Sequence, residues 1–105
     1  MGPARLVIGG AGGDSGKTLV SLGLVAAWRQ NGLDVAAFKK GPDYIDAAWL
    51  ARAADRPVTN LDVWIMGRDE VARAFVRRSA GADVSVVEGN RGVLDGYRGH
   101  STAAL

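Results

Sequence analysis

At 105 residues, 48% hydrophobic and 23% charged, the chain has the length of one small globular domain and is too apolar to be a disordered one. Thirteen Lys and Arg against eleven Asp and Glu leave a net charge of +2, with no basic patch interleaved with aromatics, so no nucleic-acid partner is expected. The absence of cysteine excludes disulfides, thiolate metal sites and a cysteine nucleophile within the segment. No apolar run approaches a membrane span, so a reducing, cytoplasmic setting without a membrane is expected.

Arg5-Leu6-Val7-Ile8 is apolar on consecutive residues, as a fully buried parallel strand requires. Gly16 to Asn31 has a helical pattern, with Leu19, Leu22, Val25, Ala26 and Trp28 available for an inner stripe and Gly32 placed at the C-terminal end. Val35 to Phe38 reads as a second strand, and Asp46 to Ala54 as a short helix with Asp46 as N-cap. The stretch "PVTNLDVWIMG" reads as irregular or partly extended. Arg68 to Ala80 is amphipathic, with Val71, Ala74, Phe75 and Ala72 inward, and Asp83 to Glu88 is a third strand. Ser101 to Leu105 resembles a capped helix start. Trp28, Trp49 and Trp64 are expected as core or domain-contact rings.

Alternating strands and helices imply an α/β fold with a parallel sheet covered on both faces. About three strands are legible, which is thin for such a sheet. The expectation is therefore an incomplete domain, the N-terminal part of a longer protein.

After the first strand comes "GGAGGDSGKT", from Gly9 to Thr18. A loop that bares successive amides at a helix N-terminus makes a cradle for phosphate oxygens. Gly10, Gly12, Gly13, Asp14, Ser15 and Gly16 are the candidate ATP-binding residues of that cradle, with no separate chemistry given to Asp14. Lys17 supplies a cation to the β- and γ-phosphates, and the Thr18 hydroxyl is a Mg²⁺ ligand. The usual spacing asks for glycine where Ala11 stands, so the loop is a variant one residue longer.

In open parallel sheets, ligands sit beyond the carboxyl ends of the strands, so the loops after Ile8, Phe38 and Glu88 should share one crevice. That would bring Lys39, Asp43 and Asp46 of "FKKGPDYID" near the phosphates. A lysine there can neutralise charge on a transferred phosphoryl group, and the carboxylates can hold Mg²⁺. Lys40 reads as a solvated charge. Glu88, an acid at a buried strand's end, has the position of a metal-binding carboxylate. Asp95 has room to meet a second substrate, and Arg91 is either a partner for a substrate carboxylate or a surface residue. His100, the only histidine, is taken as a loop residue.

Together these residues resemble the ATP-dependent cobyrinate a,c-diamide synthases of cobalamin biosynthesis. The likeness rests on the lengthened "GGAGGDSGKT", on "FKKGPDYID", "NLDVW" and "GADVSVVEGNRGVLDG", and on the closing "STA". The phosphate loop alone would also suit dethiobiotin synthetases and partition-type ATPases, but Gly12 stands where partition ATPases usually carry a further lysine. The resemblance implies a P-loop NTPase-like three-layer α/β/α domain of an amide ligase. ATP would phosphorylate a carboxylate of a corrin-type tetrapyrrole acid, and glutamine-derived ammonia would attack the acyl phosphate.

On that resemblance Lys39, Asp43, Glu88 and Asp95 are catalytic, and Thr18, Asp46 and Glu88 hold Mg²⁺. Tyr44, Ile45, Arg91 and Asp95 bind the substrate. Residues 1–105 would be the N-terminal part of the ATP-binding domain, without a C-terminal glutaminase domain, and inactive alone; a homodimer is compatible with the resemblance. The same ligase chemistry on hydrogenobyrinate or nickel-sirohydrochlorin is an alternative, as is a partition-type nucleotide switch. Val93 and Leu94 depart from the leucine and aromatic residue often found before Asp95, which bears on the shape of the substrate pocket.

Overall fold

The computed structural model describes residues 4–10, 16–41 and 44–92, with only the backbone described at residues 10, 17 and 90–92. The elements in order are β1 (Ala4–Gly10), α1 (Lys17–Gln30), β2 (Val35–Lys40), α2 (Tyr44–Ala54), β3 (Thr59–Leu61), α3 (Val63–Met66), α4 (Arg68–Ser79) and β4 (Val84–Gly92). The strands form one sheet in the order β1-β4-β2-β3, every adjacent pair parallel.

This order explains the layers. From β1 to β2 to β3 the chain moves across the sheet in one direction, then reverses to insert β4 between β1 and β2. Crossovers of one hand put the connections made in one direction on one face and the reversed connection on the other. Accordingly Val25 of α1 and Leu50 and Ala54 of α2 pack with Val35, Ala37, Val84 and Val86. Val71 and Ala74 of α4 pack with Ala36, Phe38, Leu61 and Val87 on the opposite face. The result is the three-layer α/β/α arrangement, with four strands where the sequence suggested about three.

The additional strand, β3, lies in "PVTNLDVWIMG" and pairs with β2 through Phe38–Thr59, Lys39–Asn60 and Lys40–Leu61. The short α3 follows in the same stretch, started by the Asp62 carboxylate, which accepts from the Trp64 amide at 3.1 Å. Further departures concern single residues. Helix α2 begins at Tyr44, so Asp46 lies inside its first turn and is not its N-cap. Leu19 is 77% exposed, while Ser21 of the same helix is fully buried. Ala72 is exposed. Trp49 and Trp64 are surface rings, each 57% exposed. The suggested helix start at Ser101–Leu105 lies outside the described residues.

Side chains on neighbouring parallel strands share a face when in register, and alternate along each strand. Val84-Val86-Glu88 and Val35-Ala37-Lys39 therefore form two adjacent stripes facing α1 and α2, with Ala37 opposite Val86 and Lys39 opposite Glu88. Each stripe is apolar for two positions and charged at the third. At the other end of the sheet the charges are on the surface: Arg56 bridges Asp34 at 3.1 Å and the Arg78 carbonyl at 2.9 Å. Strand β1 pairs only with β4 among the described residues, leaving Leu6 and Val7 at 42% and 54% exposure. Beside it, Val7, Val87, Val71 and Phe75 line a groove of about 470 Å³ on the α4 face.

Candidate nucleotide and metal site

The two charged stripe ends meet. Lys39 Nζ lies 3.1 Å from Glu88 Oε1 and 3.2 Å from Asp46 Oδ2, and donates to the Gly89 carbonyl at 3.0 Å. Lys39 is 1% exposed and Glu88 0%, depths at which a charge persists only when paired. Their pairing follows from register: they are direct neighbours on β2 and β4, although 49 residues apart in sequence.

Two helix starts complete the cluster. Thr18, in the first turn of α1, donates its hydroxyl proton to Glu88 Oε1 at 2.7 Å and stands 3.3 Å from Asp46 Oδ2. A hydroxyl has one proton, so the shorter contact takes it and the oxygen lone pairs remain available to a cation. Asp46 reaches in from the first turn of α2, its side chain 25% exposed. Glu88 Oε2 is buried and finds no hydrogen-bond partner among the described residues. Two carboxylates, one of them with an oxygen unpartnered among the described residues, and a hydroxyl oxygen are hard oxygen donors. They fit Mg²⁺, which takes one or two carboxylates and draws its remaining ligands from phosphate and water.

Helix α1 starts without a capping side chain, because its N-cap is Gly16 at φ +82°. A left-handed N-cap without Cβ turns the chain sharply from the preceding loop into the helix. First-turn amides not engaged by a capping side chain, at the positive end of the helix dipole, suit an anion. Gly10 ends β1, where the β1–β4 register slips between Ile8 and Gly10 and then re-forms as Gly10–Gly92.

Thr18, Lys39, Asp46 and Glu88 are thus brought together level with the carboxyl end of β2; Glu88, expected at its strand's end, lies midway along β4, which continues to Gly92. Tyr44 and Ile45 precede Asp46 on α2 but point outward, 75% and 74% exposed. Lys17 opens α1, and Arg91 lies on β4, with side chains outside the described set. Gly12, Gly13, Asp14, Ser15, Asp43, Asp95 and His100 also lie outside the described residues. Sequence reasoning missed three supporting groups. The Gly89 carbonyl accepts a hydrogen bond from the Lys39 ammonium. The Asn60 side chain donates to the Gly41 carbonyl at 2.8 Å, and the Gly41 amide donates to the Leu61 carbonyl at 2.9 Å. Together these two bonds pin the turn after β2 at a buried glycine with φ +81°. The Asn in the middle of "TNL", ahead of a buried Leu61, was the available signal.

The model of the CobQ/CobB/MinD/ParA nucleotide binding domain matches residues 6–84. The chain belongs to this family. Cobyrinate a,c-diamide synthase of Magnetococcus marinus is 51% identical over 92 residues, covering 88% of this chain and 20% of the relative. The enzyme of the same name from Dehalococcoides mccartyi is 45% identical over 95 residues, covering 90% and 20%. Hydrogenobyrinate a,c-diamide synthase of Rhodobacter capsulatus is 46% identical over 95 residues, covering 90% and 22%. The chain therefore spans about a fifth of the length of these relatives. Of the cluster, Thr18, Lys39 and Asp46 lie within the matched residues, and Glu88 lies four residues beyond them. No helix among the described residues is long and apolar enough to cross a membrane.

Proposed function

We propose that this segment is the nucleotide-binding part of an ATP-dependent amide ligase that converts the a- and c-carboxylates of cobyrinate to amides. The observation that carries the reading is the Thr18–Lys39–Asp46–Glu88 cluster, built on the buried Lys39–Glu88 pair level with the carboxyl end of β2 and beside an uncapped helix start. A carboxylate is a poor acyl donor, and phosphorylation turns its oxygen into a leaving group. The carboxylate oxygen attacks the γ-phosphorus and ADP leaves. Ammonia then attacks the acyl carbon, the C–O bond breaks, and inorganic phosphate departs with that oxygen.

In this reading the loop from Gly10 to Gly16, with Lys17, binds the ATP phosphates, and Thr18, Asp46 and Glu88 hold Mg²⁺. Bound there, the metal neutralises charge on the transferring phosphoryl group. Lys39 adds a positive charge at the same edge, Asp43 is given a catalytic role toward ATP and Mg²⁺, and Asp95 one toward the second substrate. Tyr44 and Ile45 offer exposed apolar surface to the macrocycle, and Arg91 a bidentate partner for one of its other carboxylates. Ammonia comes from glutamine hydrolysed in another part of the full-length, cytoplasmic protein, for which a homodimer is an acceptable assembly.

The test is glutamine- and ATP-dependent amidation by the full-length protein across a panel of corrin and porphinoid acids. Diamide formation from cobyrinate supports the reading. ATP hydrolysis with no amide product from any acid would point to a nucleotide switch instead. The 46% identity to the Rhodobacter capsulatus hydrogenobyrinate enzyme favours including the metal-free macrocycle as the second substrate of the panel.

A further inference from the structure

The cation now seated in the cluster belongs to the chain itself. Lys39 donates to Glu88 Oε1 and the Gly89 carbonyl at 3.1 and 3.0 Å and forms an ion pair with Asp46 Oδ2 at 3.2 Å. Its backbone is fixed in the sheet and its side chain is 1% exposed, so this is an enclosed arrangement and not a loose surface contact. Yet the acceptors are not exhausted, because Glu88 Oε2 has no partner among the described residues. A buried carboxylate oxygen calls for a partner, and a divalent cation is one it can take.

We propose that Lys39 is a tethered counterion, holding Glu88 and Asp46 together when no divalent cation is bound and competing with that cation for them. The inference rests on the reading of Thr18, Asp46 and Glu88 as the Mg²⁺ site. Its basis is charge balance at short range. Among the described side chains of the cluster, one ammonium against two carboxylates leaves one negative charge in excess; adding a divalent ion beside the ammonium reverses the sign. Like charges a few ångströms apart in a poorly solvated pocket repel strongly. Nucleotide phosphates supply the missing negative charge, so Lys39 makes metal binding depend on nucleotide. A purely structural ion pair predicts the opposite response to its removal: without Lys39 the carboxylates would splay apart and metal affinity would fall.

The experiment measures Mg²⁺ and Mn²⁺ binding to the full-length protein without nucleotide, by calorimetry and by Mn²⁺ electron paramagnetic resonance. The native protein, Lys39→Met and Lys39→Arg are compared. The expected result is metal-only affinity at least about tenfold tighter in Lys39→Met, with Lys39→Arg within about threefold of native. Equal or weaker affinity in a folded Lys39→Met overturns the proposal. If Lys39→Met unfolds in the absence of metal, recovery of native circular dichroism on adding Mg²⁺ supports it, and failure to recover at saturating Mg²⁺ overturns it. A parallel titration of the native protein with ATP in the presence of Mg²⁺ tests the ligase reading separately. Absence of nucleotide binding there would sink that reading, while the metal-only comparison still decides the role of Lys39.

Discussion

Replacing Lys39 by Met removes the cation between two carboxylates and leaves Glu88, fully buried, facing Asp46. Removing one partner of a buried ion pair typically costs about 3–5 kcal/mol, because the other charge is left uncompensated. The reverse change, Glu88→Gln, is milder. The ammonium keeps Asp46 and the Gly89 carbonyl, and the amide oxygen can still accept from Thr18, so about 1–2 kcal/mol is expected. With both changes no uncompensated charge remains at the β2–β4 contact. The double variant should then fall short of the summed single losses by about 2 kcal/mol or more. Hydrogen exchange resolved to peptides of β2 and β4 is the suitable assay, since it reads local stability even within a large multidomain protein. Additivity of the two single effects to within about 0.5 kcal/mol would refute the argument, because it would mean that the two charges do not depend on each other.

Two glycines of the α1 region should respond in opposite directions. Gly16→Ala places a Cβ at φ +82° with open space around it, so the cost is backbone strain of about 1–2 kcal/mol, read as a lower unfolding temperature. Gly23→Ala, mid-helix and equally free of neighbours, should raise stability by about 0.5–1 kcal/mol in the same scan. Lys17→Ala in the full-length protein should abolish ATP binding in calorimetry, and unchanged affinity would remove the phosphate-loop assignment. Asp95→Asn should impair amidation far more than ATP affinity; an equal loss in both would deny it a role toward the second substrate.

Much of the architecture was legible because the patterns were long. Segments rich in apolar residues at Arg5–Ile8, Val35–Phe38 and Asp83–Glu88 stood out as strands, and each lies in a strand of the sheet. Strand β1, however, was expected fully buried, and Leu6 and Val7 are exposed because it pairs only with β4 among the described residues. Strand β3 escaped notice since its three residues, Thr59-Asn60-Leu61, carry no periodicity, and its pairing is set by contact with β2. Asp62 and the four-residue α3 were missed for a similar reason: one helical turn leaves too little repeat to see. Trp49 and Trp64 were expected as core or domain-contact rings; each is 57% exposed, which removes the core alternative. In the site, the charges ending "VAAFKK" and "DVSVVE" were conspicuous in the sequence. That Lys39 and Glu88 would be lateral neighbours was not, because register between distant strands is a property of the assembled sheet.

The most direct measurement of the central claim follows oxygen. Cobyrinate with heavy-oxygen-labelled a- and c-carboxylates is turned over by the full-length protein with ATP, Mg²⁺ and glutamine, and the released phosphate is analysed by mass spectrometry. An acyl-phosphate ligase transfers one labelled oxygen to phosphate for each amide formed. Phosphate that carries no label while ATP is consumed would contradict the account, since the γ-phosphoryl group would then have gone to water and never to the substrate.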